Sequence, residues 1–244
     1  MTDDRLFLRR KGRAAAISYF VDEARTMDFE GLADEYESLR ASAPRRTKNY
    51  LEPARSSRAT QSVTRSEERL AATLVTRGQN LLLANGTVVK PVDFQVPLKA
   101  IRADALVGKI DLLGVSDRMV VIELKVARSG GGGDTPLNAL LEALSYAAIV
   151  EANHARFLND CRMWDLRPPH PRPGLMVLGD ARYWQYWDST PAAKGWRSAL
   201  VDFIGALERS IGLVAWLAAL PDDYETLPIG PVQLTDALAF QPTP

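Results

Sequence analysis

The spacing of apolar and polar residues changes several times along the chain, and each change predicts a new element. Apolar positions three and four residues apart over residues 12–43 predict two helices, with Asp28 as the cap between them. A further helix is expected from Thr64 to about Arg77, because T-R-S-E at 64–67 fits a capping box. The remaining pattern predicts short strands within residues 87–100, a hairpin over 108–127, a helix over 136–153, a strand over 175–178 and an amphipathic helix over about 194–220.

This order of elements predicts an α/β fold, with a central mixed β-sheet flanked by helices and an N-terminal helical appendage. Residues 44–62 show no period and are predicted to form a connector. The segment from Arg40 to Arg69 carries eight basic side chains against three acidic ones, so it is locally basic. We therefore expect an N-terminal helical region with a basic connector over 1–61, and a second domain with a C-terminal helical extension over 62–244.

Composition narrows the possible classes of protein. With 46% hydrophobic and 25% charged residues, the 244-residue chain is typical of a globular protein and unlike a disordered or membrane protein. The first ten residues lack the apolar stretch of a signal peptide, so a cytoplasmic location is expected. One cysteine and two histidines exclude a disulfide framework and nearly exclude a Cys/His zinc site. Any metal ion would therefore be held mainly by carboxylates.

Candidate chemistry lies in the predicted hairpin, GKIDLLGVSDRMVVIELKVA at 108–127, whose apolar strands are interrupted by Asp111, Glu123 and Lys125. Side chains alternate along a strand, so Glu123 and Lys125 share a face. A three-residue loop at 116–118 would place Asp111 opposite Glu123. Directly opposed residues have Cβ atoms roughly 4.5–5.5 Å apart. The register therefore predicts two neighbouring carboxylates beside an ammonium group.

Two carboxylates at that separation repel each other unless a cation lies between them or one is protonated. A divalent ion is the simplest resolution, and Mg²⁺ is commonly bound by one or two protein carboxylates. Asp111, Glu123 and the backbone carbonyl of Leu124 are the candidate ligands. Lys125 is expected to stabilise negative charge on a phosphate and to assist the attacking water. This set of residues predicts hydrolysis of phosphodiester bonds.

The two segments G-K-I-D-L-L-G at 108–114 and V-I-E-L-K at 121–125 resemble the motif of the PD-(D/E)xK nuclease superfamily. Asp111, Glu123 and Lys125 match its residues one by one, whereas Ile110 stands where the motif has proline. The resemblance implies a restriction-endonuclease-like core of order α-β-β-β-α-β over roughly residues 62–180. It also implies Mg²⁺- or Mn²⁺-dependent cleavage of DNA, in repair or in defence against foreign DNA.

Three further residues are candidates for the site. The superfamily often has a glutamate on the preceding helix, and helical spacing places Glu67 within the apolar face and Glu68 near its edge. Glu67 is thus a candidate third metal ligand, although it could equally serve the capping box. Glu142 and Tyr146 lie one turn apart, where relatives similar to the RecB-type nucleases have Gln-x-x-x-Tyr. They are candidates for substrate binding, or an ordinary pair at the edge of a helix.

Other interpretations remain open. The chain could be a catalytically silent module that keeps the nuclease fold to bind nucleic acid or a protein, or the charged residues could form a buried ion-pair network in an unrelated α/β domain. The N-terminal helices and connector could contact DNA, a partner subunit or a second copy of the chain. Tyr183, Trp184, Tyr186 and Trp187 could stack unpaired bases, but core packing is the more common role of such clusters.

Overall fold

Runs of apolar and β-branched residues form the strands of one central mixed sheet. The computed structural model describes residues 19–52, 66–101, 107–127, 133–224 and 230–239. The strands are β1 (Leu81–Leu82), β2 (Val88–Pro97), β3 (Lys109–Val115), β4 (Arg118–Lys125), β5 (His170–Gly179), β6 (Ala215–Ala219), β7 (Val232–Gln233) and β8 (Thr235–Asp236). The helices are α1 (Phe20–Arg25), α2 (Phe29–Ala41), α3 (Ser66–Thr76), α4 (Pro136–Ala152), α5 (His154–Cys161), α6 (Ala181–Ser189) and α7 (Trp196–Ile211), with 3₁₀ turns at Arg162–Trp164 and Pro191–Ala193.

The strands are ordered β7-β1-β2-β3-β4-β5-β6-β8 across the sheet. Neighbours from β1 to β4 are antiparallel, whereas β4, β5 and β6 run parallel. The parallel pair β4 and β5 is joined through α4, as a parallel connection requires. The prediction of a mixed sheet flanked by helices is therefore confirmed. Along the chain, α3, β2, β3, β4, α4 and β5 follow in the order expected from the sequence.

Strand β4 lies at the centre of the sheet and separates two hydrophobic cores. Val120, Ile122 and Leu124 pack in one core with α3, whereas Met119 and Val121 pack in the other. The second core also contains buried residues of the other six helices. Alternation along a strand sends neighbouring side chains to opposite faces, so the two cores lie on opposite sides of the sheet. The predicted division of the β4 side chains between two faces is confirmed.

The N-terminal helices pack into the same core as the sheet. Phe20 of α1 and Leu32 and Tyr36 of α2 are fully buried there. Asp28 caps α2 as predicted, since its side chain accepts a hydrogen bond from the backbone N–H of Gly31. The predicted domain boundary at 61/62 lies outside the described residues and stays a prediction.

Part of the predicted connector is held by a buried aspartate. Asp160 on α5 accepts hydrogen bonds from the backbone N–H groups of Tyr50 and Leu51, at 2.7 and 3.3 Å. Both of these residues are fully buried, and the Tyr50 ring stacks on Phe157 at 4.2 Å between centroids. Residues 44–52 thus pack against the domain although their sequence has no period.

The prediction of one helix from Lys194 to Leu220 is wrong beyond Ile211. Helix α7 ends at Gly212, which has a φ of 77°, a left-handed conformation open to glycine. The following residues form β6, which pairs in parallel with β5 inside the sheet. A short run of apolar residues is consistent with either a buried strand or a buried helix. Here Gly212 ends the helix, and the apolar residues after it form a strand.

Among the described residues, none of the helices combines the length and apolar character needed to cross a bilayer.

Replacement of Asp160 tests the attachment of this segment. We expect Asp160→Ala to lower the free energy of unfolding by roughly 1–3 kcal/mol, because two buried N–H groups lose their acceptor. Urea unfolding followed by tryptophan fluorescence measures the effect. Asp202, which is exposed on α7, supplies the matched control: Asp202→Ala should change stability by less than about 0.5 kcal/mol. Equal effects of the two substitutions would contradict this account.

Candidate functional site

The hairpin of β3 and β4 follows the register predicted from the sequence. Val115 pairs with Met119, and the ladder continues to Leu112 and Ile122. There the ladder ends, one residue before Asp111 would pair with Glu123. The two strands separate at the position where the sequence places its charged residues.

Asp111 takes the place of a backbone partner where the strands separate. Its Oδ2 accepts a hydrogen bond from the backbone N–H of Leu124 at 3.2 Å. Its Oδ1 accepts one from the Nε2 of Gln95, on the neighbouring strand β2, at 3.2 Å. The carboxylate is therefore held between β2 and β4.

Glu123 and Lys125 form a buried ion pair on β4. The Nζ of Lys125 donates to Oε1 of Glu123 at 2.8 Å, and the two residues are 9% and 4% exposed. Asp134 is a second acidic neighbour of the ammonium group, with its Oδ2 3.9 Å from Nζ. Asn138 fixes Asp134 by donating to its Oδ1 at 2.9 Å. The ammonium group thus has two carboxylates within 4 Å.

Burial makes the negative charge of both predicted metal ligands unfavourable. Loss of hydration raises the pKa of Asp111 from its usual 3.8 to about 6, an effect that Lys125 opposes and Glu67 and Glu142 increase. Burial also raises the pKa of Glu123 well above its usual 4.5, and the charges of Asp111 and Glu142 add to the shift. The acidic groups of this cluster therefore act on one another through space.

Lys125 keeps its proton. Burial alone lowers the pKa of its ammonium group, but the charges of Glu123 and Asp134 outweigh that effect and raise the pKa above its usual value. The side chain can therefore act as a fixed positive charge, whereas the role of a proton acceptor is closed to it near neutral pH.

Glu142 and Tyr146 of α4 lie beside this cluster. The Tyr146 hydroxyl, in a side chain that is 4% exposed, donates to Oε1 of Glu142 at 2.6 Å. Burial raises the pKa of Tyr146, and the charges of Glu142 and Glu123 add to the shift. The pair is thus joined electrostatically to the predicted site and is not a solvated edge of the helix.

A cleft of about 270 Å³ opens next to Asp111. Its lining residues are Glu67, Glu68, Gln95, Lys109 and Asp111. Both glutamates belong to the first turn of α3, and the charge of Glu67 acts on the pKa of Asp111. Glu67 is therefore in electrostatic contact with Asp111, while its role as a metal ligand stays a prediction. The capping-box residue Thr64 lies outside the described residues.

The donor chemistry of the site fits a divalent cation. Asp111 and Glu123 are carboxylates whose shared negative charge is disfavoured, and a cation between such groups stabilises their ionised forms. In the ranges that the structure describes, no three Asp, Glu, His or Cys side chains come together as a complete ligand set. An ion held here would complete its coordination with water or substrate oxygens.

Two neighbours of the site were missed by sequence reasoning. Gln95 lies on a strand whose pairing could not be counted, because a β-bulge shifts its register. Asp134 follows the glycine run, and no local pattern relates it to Lys125. The aromatic cluster is resolved as core packing, since Tyr183, Trp184 and Trp187 are at most 1% exposed.

Comparisons with known proteins give no assignment. No protein-family model matches the chain, and neither a curated protein nor a solved structure is significantly similar to it.

The unfavourable charge of Asp111 predicts an unusual effect of its replacement. We expect Asp111→Asn to stabilise the metal-free protein at pH 8 by about 1–2 kcal/mol, after the loss of one accepted hydrogen bond is allowed for. Burial raises the pKa of Asp111 in the folded protein, so its ionised form destabilises the fold. This destabilisation is complete above about pH 6 and absent below pH 3.8, the pKa of Asp111 in the unfolded chain. The gain should therefore disappear as the pH falls to 4.

Urea unfolding in the presence of EDTA at pH 4, 6 and 8 measures this difference. Asp202→Asn, at an exposed position on α7, is the control and should be neutral throughout. An Asp111→Asn variant that is less stable than the parent at pH 8 would show that hydrogen bonding, and not charge burial, governs this position.

Proposed function

We propose that the chain is a divalent-metal-dependent nuclease that hydrolyses phosphodiester bonds of DNA. One observation carries the proposal: Asp111 and Glu123 lie where two central strands separate, with the ammonium group of Lys125 bonded to Glu123 at 2.8 Å. Two acidic side chains that can bind a divalent ion, together with a fixed positive charge, provide the groups that a metal-dependent phosphodiesterase uses, and Asp111 also lines the cleft. The match of these residues to the PD-(D/E)xK motif supports the same conclusion.

The order of elements adds a second, weaker support. Apart from the two-residue strand β1 and the short helix α5, the order α3, β2, β3, β4, α4, β5 is that of a restriction-endonuclease-like core, and we propose that fold for the domain. Such a fold would place the motif strands β3 and β4 at its centre, and α3 supplies the glutamates of the cleft. Fold analogy alone does not establish an activity, so the argument rests on the site.

Asp111 and Glu123 would hold Mg²⁺ or Mn²⁺, and Glu67 would contribute from the side of the cleft. The bound ion would supply Lewis-acid activation of the scissile phosphate and of the attacking water. Glu123 would have to share its carboxylate between the ion and Lys125. Its second oxygen has no contact with Lys125 among the described hydrogen bonds, and this leaves an oxygen available for that role.

Lys125 would act on the phosphate by its charge. Hydrolysis joins a water oxygen to phosphorus and breaks one P–O ester bond, and negative charge builds up on the phosphate oxygens. An ammonium group that stays protonated in a buried site stabilises this charge more strongly than one in water. We propose this electrostatic role for Lys125 in place of proton transfer from the water.

Glu142 and Tyr146 would shape the substrate side of the site. Their hydrogen bond of 2.6 Å fixes the carboxylate next to the two metal ligands, where it would position water or a ligand of the cation. A negative group here would repel a bare phosphate, so the bound cation becomes a condition for substrate binding. DNA as the substrate, and a role in repair or defence, follow from the motif resemblance.

The proposed activity is tested with linear, circular and single-stranded DNA in the presence of Mn²⁺, Mg²⁺ or EDTA. We expect cleavage that requires the metal ion and falls at least about 100-fold in Glu123→Gln and Lys125→Met, because each removes one charge that the reaction uses. Glu208→Gln, at an exposed position on α7, is the matched control and should keep the parent rate.

Calorimetric titration with Mn²⁺ separates the other interpretations. A chain that binds DNA and Mn²⁺ without cleaving would be the catalytically silent module. Mn²⁺ binding that is absent from the parent, or unchanged in Glu123→Gln, would instead favour a structural ion-pair network and contradict the proposal.

A further inference from the structure

Gln95 adopts a backbone conformation that residues with a side chain rarely take. Its φ is 50°, in the left-handed region. Among the described residues other than glycine, Asp165 is the one further case of positive φ. Glycine enters this region freely, whereas a Cβ atom makes it unfavourable. A glutamine at such a position, in the middle of a strand, requires a physical reason.

A β-bulge in the same strand determines which residue faces Asp111. Between Pro91 and Asp93 the pairing of β2 with β3 shifts by one residue. Beyond the shift, the flanking pairs are Phe94 with Leu112 and Val96 with Ile110. Gln95 therefore lies across from Asp111. In the unshifted register Phe94 would occupy that place, and an aromatic ring cannot donate a hydrogen bond to the carboxylate.

The strand also changes the face it presents at the left-handed residue. Phe94 packs in the core on the α3 side, whereas Val96 packs in the opposite core, although residues two apart in a regular strand share a face. The alternation breaks in the same way on β3, between Ile110 and Leu112. Glycine at position 95 would allow this change of face without strain, but it would lack the side chain that reaches Asp111.

That side chain completes the support of the Asp111 carboxylate. Oδ1 accepts from the Nε2 of Gln95 and Oδ2 accepts from the backbone N–H of Leu124, both at 3.2 Å. Two donors from two different strands fix the plane of the carboxylate at the edge of the cleft, which Gln95 also lines. Groups that hydrogen-bond to a metal ligand orient it and alter the affinity for the ion, typically by 10–100-fold.

We propose that Gln95 is a positioning residue, which orients the Asp111 carboxylate for the cation. The proposal rests on the proposed function in so far as Asp111 binds a metal ion. It goes beyond the nuclease motif, since Gln95 belongs to neither motif segment.

Gln95→Gly is the variant that separates this role from a structural one. It permits the left-handed backbone and removes the amide, so the thermal midpoint should stay the same or rise. The dissociation constant for Mn²⁺, measured by calorimetry, should increase about tenfold or more. Gln95→Asn tolerates the backbone but has a shorter side chain, and should weaken Mn²⁺ binding similarly.

Asp165→Gly is the matched control, because Asp165 has a φ of 56° and lies outside the site, after the 3₁₀ turn at 162–164. It should raise the thermal midpoint in the same way and leave Mn²⁺ binding unchanged. A Gln95→Gly variant that binds Mn²⁺ within twofold of the parent would overturn the proposal.

A second measurement needs neither metal ion nor activity. In EDTA, Gln95→Gly should raise the urea midpoint more in an Asp111→Ala background than in the parent, because only the parent loses the Gln95–Asp111 hydrogen bond. Equal changes in both backgrounds would show that the two side chains are not coupled, which also overturns the proposal. A parent that binds no Mn²⁺ would contradict the proposed function. The double-mutant comparison in EDTA would still show whether Gln95 and Asp111 are coupled.

Discussion

The burial of like charges at the separated ends of β3 and β4 is the constraint on which the rest of the site depends. The ionised carboxylates of Asp111 and Glu123 would each be more stable in water, and burial therefore raises the pKa of both. An arrangement of this kind persists only if the surrounding structure holds it in place. Here the support comes from a central strand buried on both faces, which carries Glu123 and Lys125 on one side and apolar residues on the other.

The geometry of the cleft follows from irregularities in the neighbouring strands. The β3–β4 ladder ends at Leu112, and beyond it the Asp111 carboxylate accepts a hydrogen bond from the backbone N–H of Leu124. On the other side, the bulge in β2 and the left-handed Gln95 turn that strand over at the same level. The chain thus departs from regular sheet geometry where the candidate chemistry lies, as functional sites often do.

The sequence was sufficient for features that depend on local period and on a single loop. The register of the hairpin could be counted outward from the loop at 116–118, and the pairing of Val115 with Met119 confirms the count. Helix α2 was likewise indicated by Asp28 and by its apolar spacing. The relation of Gln95 to Asp111 could not be predicted, because one bulged residue changes which side chain is opposite and has no sequence signal of its own. The strand β6 was missed because an evenly apolar run carries no period.

The balance of charge distinguishes a cation site from a structural ion-pair network. In a self-sufficient network, each buried carboxylate would have a basic partner, since an unpaired buried charge is strongly unfavourable. Here the charges of Asp111 and Glu142 add to the pKa shift of Glu123, and among the described residues Lys125 is the buried ammonium group that opposes them. Lys109 also lines the cleft, but its side chain is exposed and so compensates little. In the part of the chain that the structure describes, the carboxylates of this cluster therefore outnumber the buried ammonium group, and a divalent cation would neutralise the difference, which is the charge argument for the proposed metal-binding role.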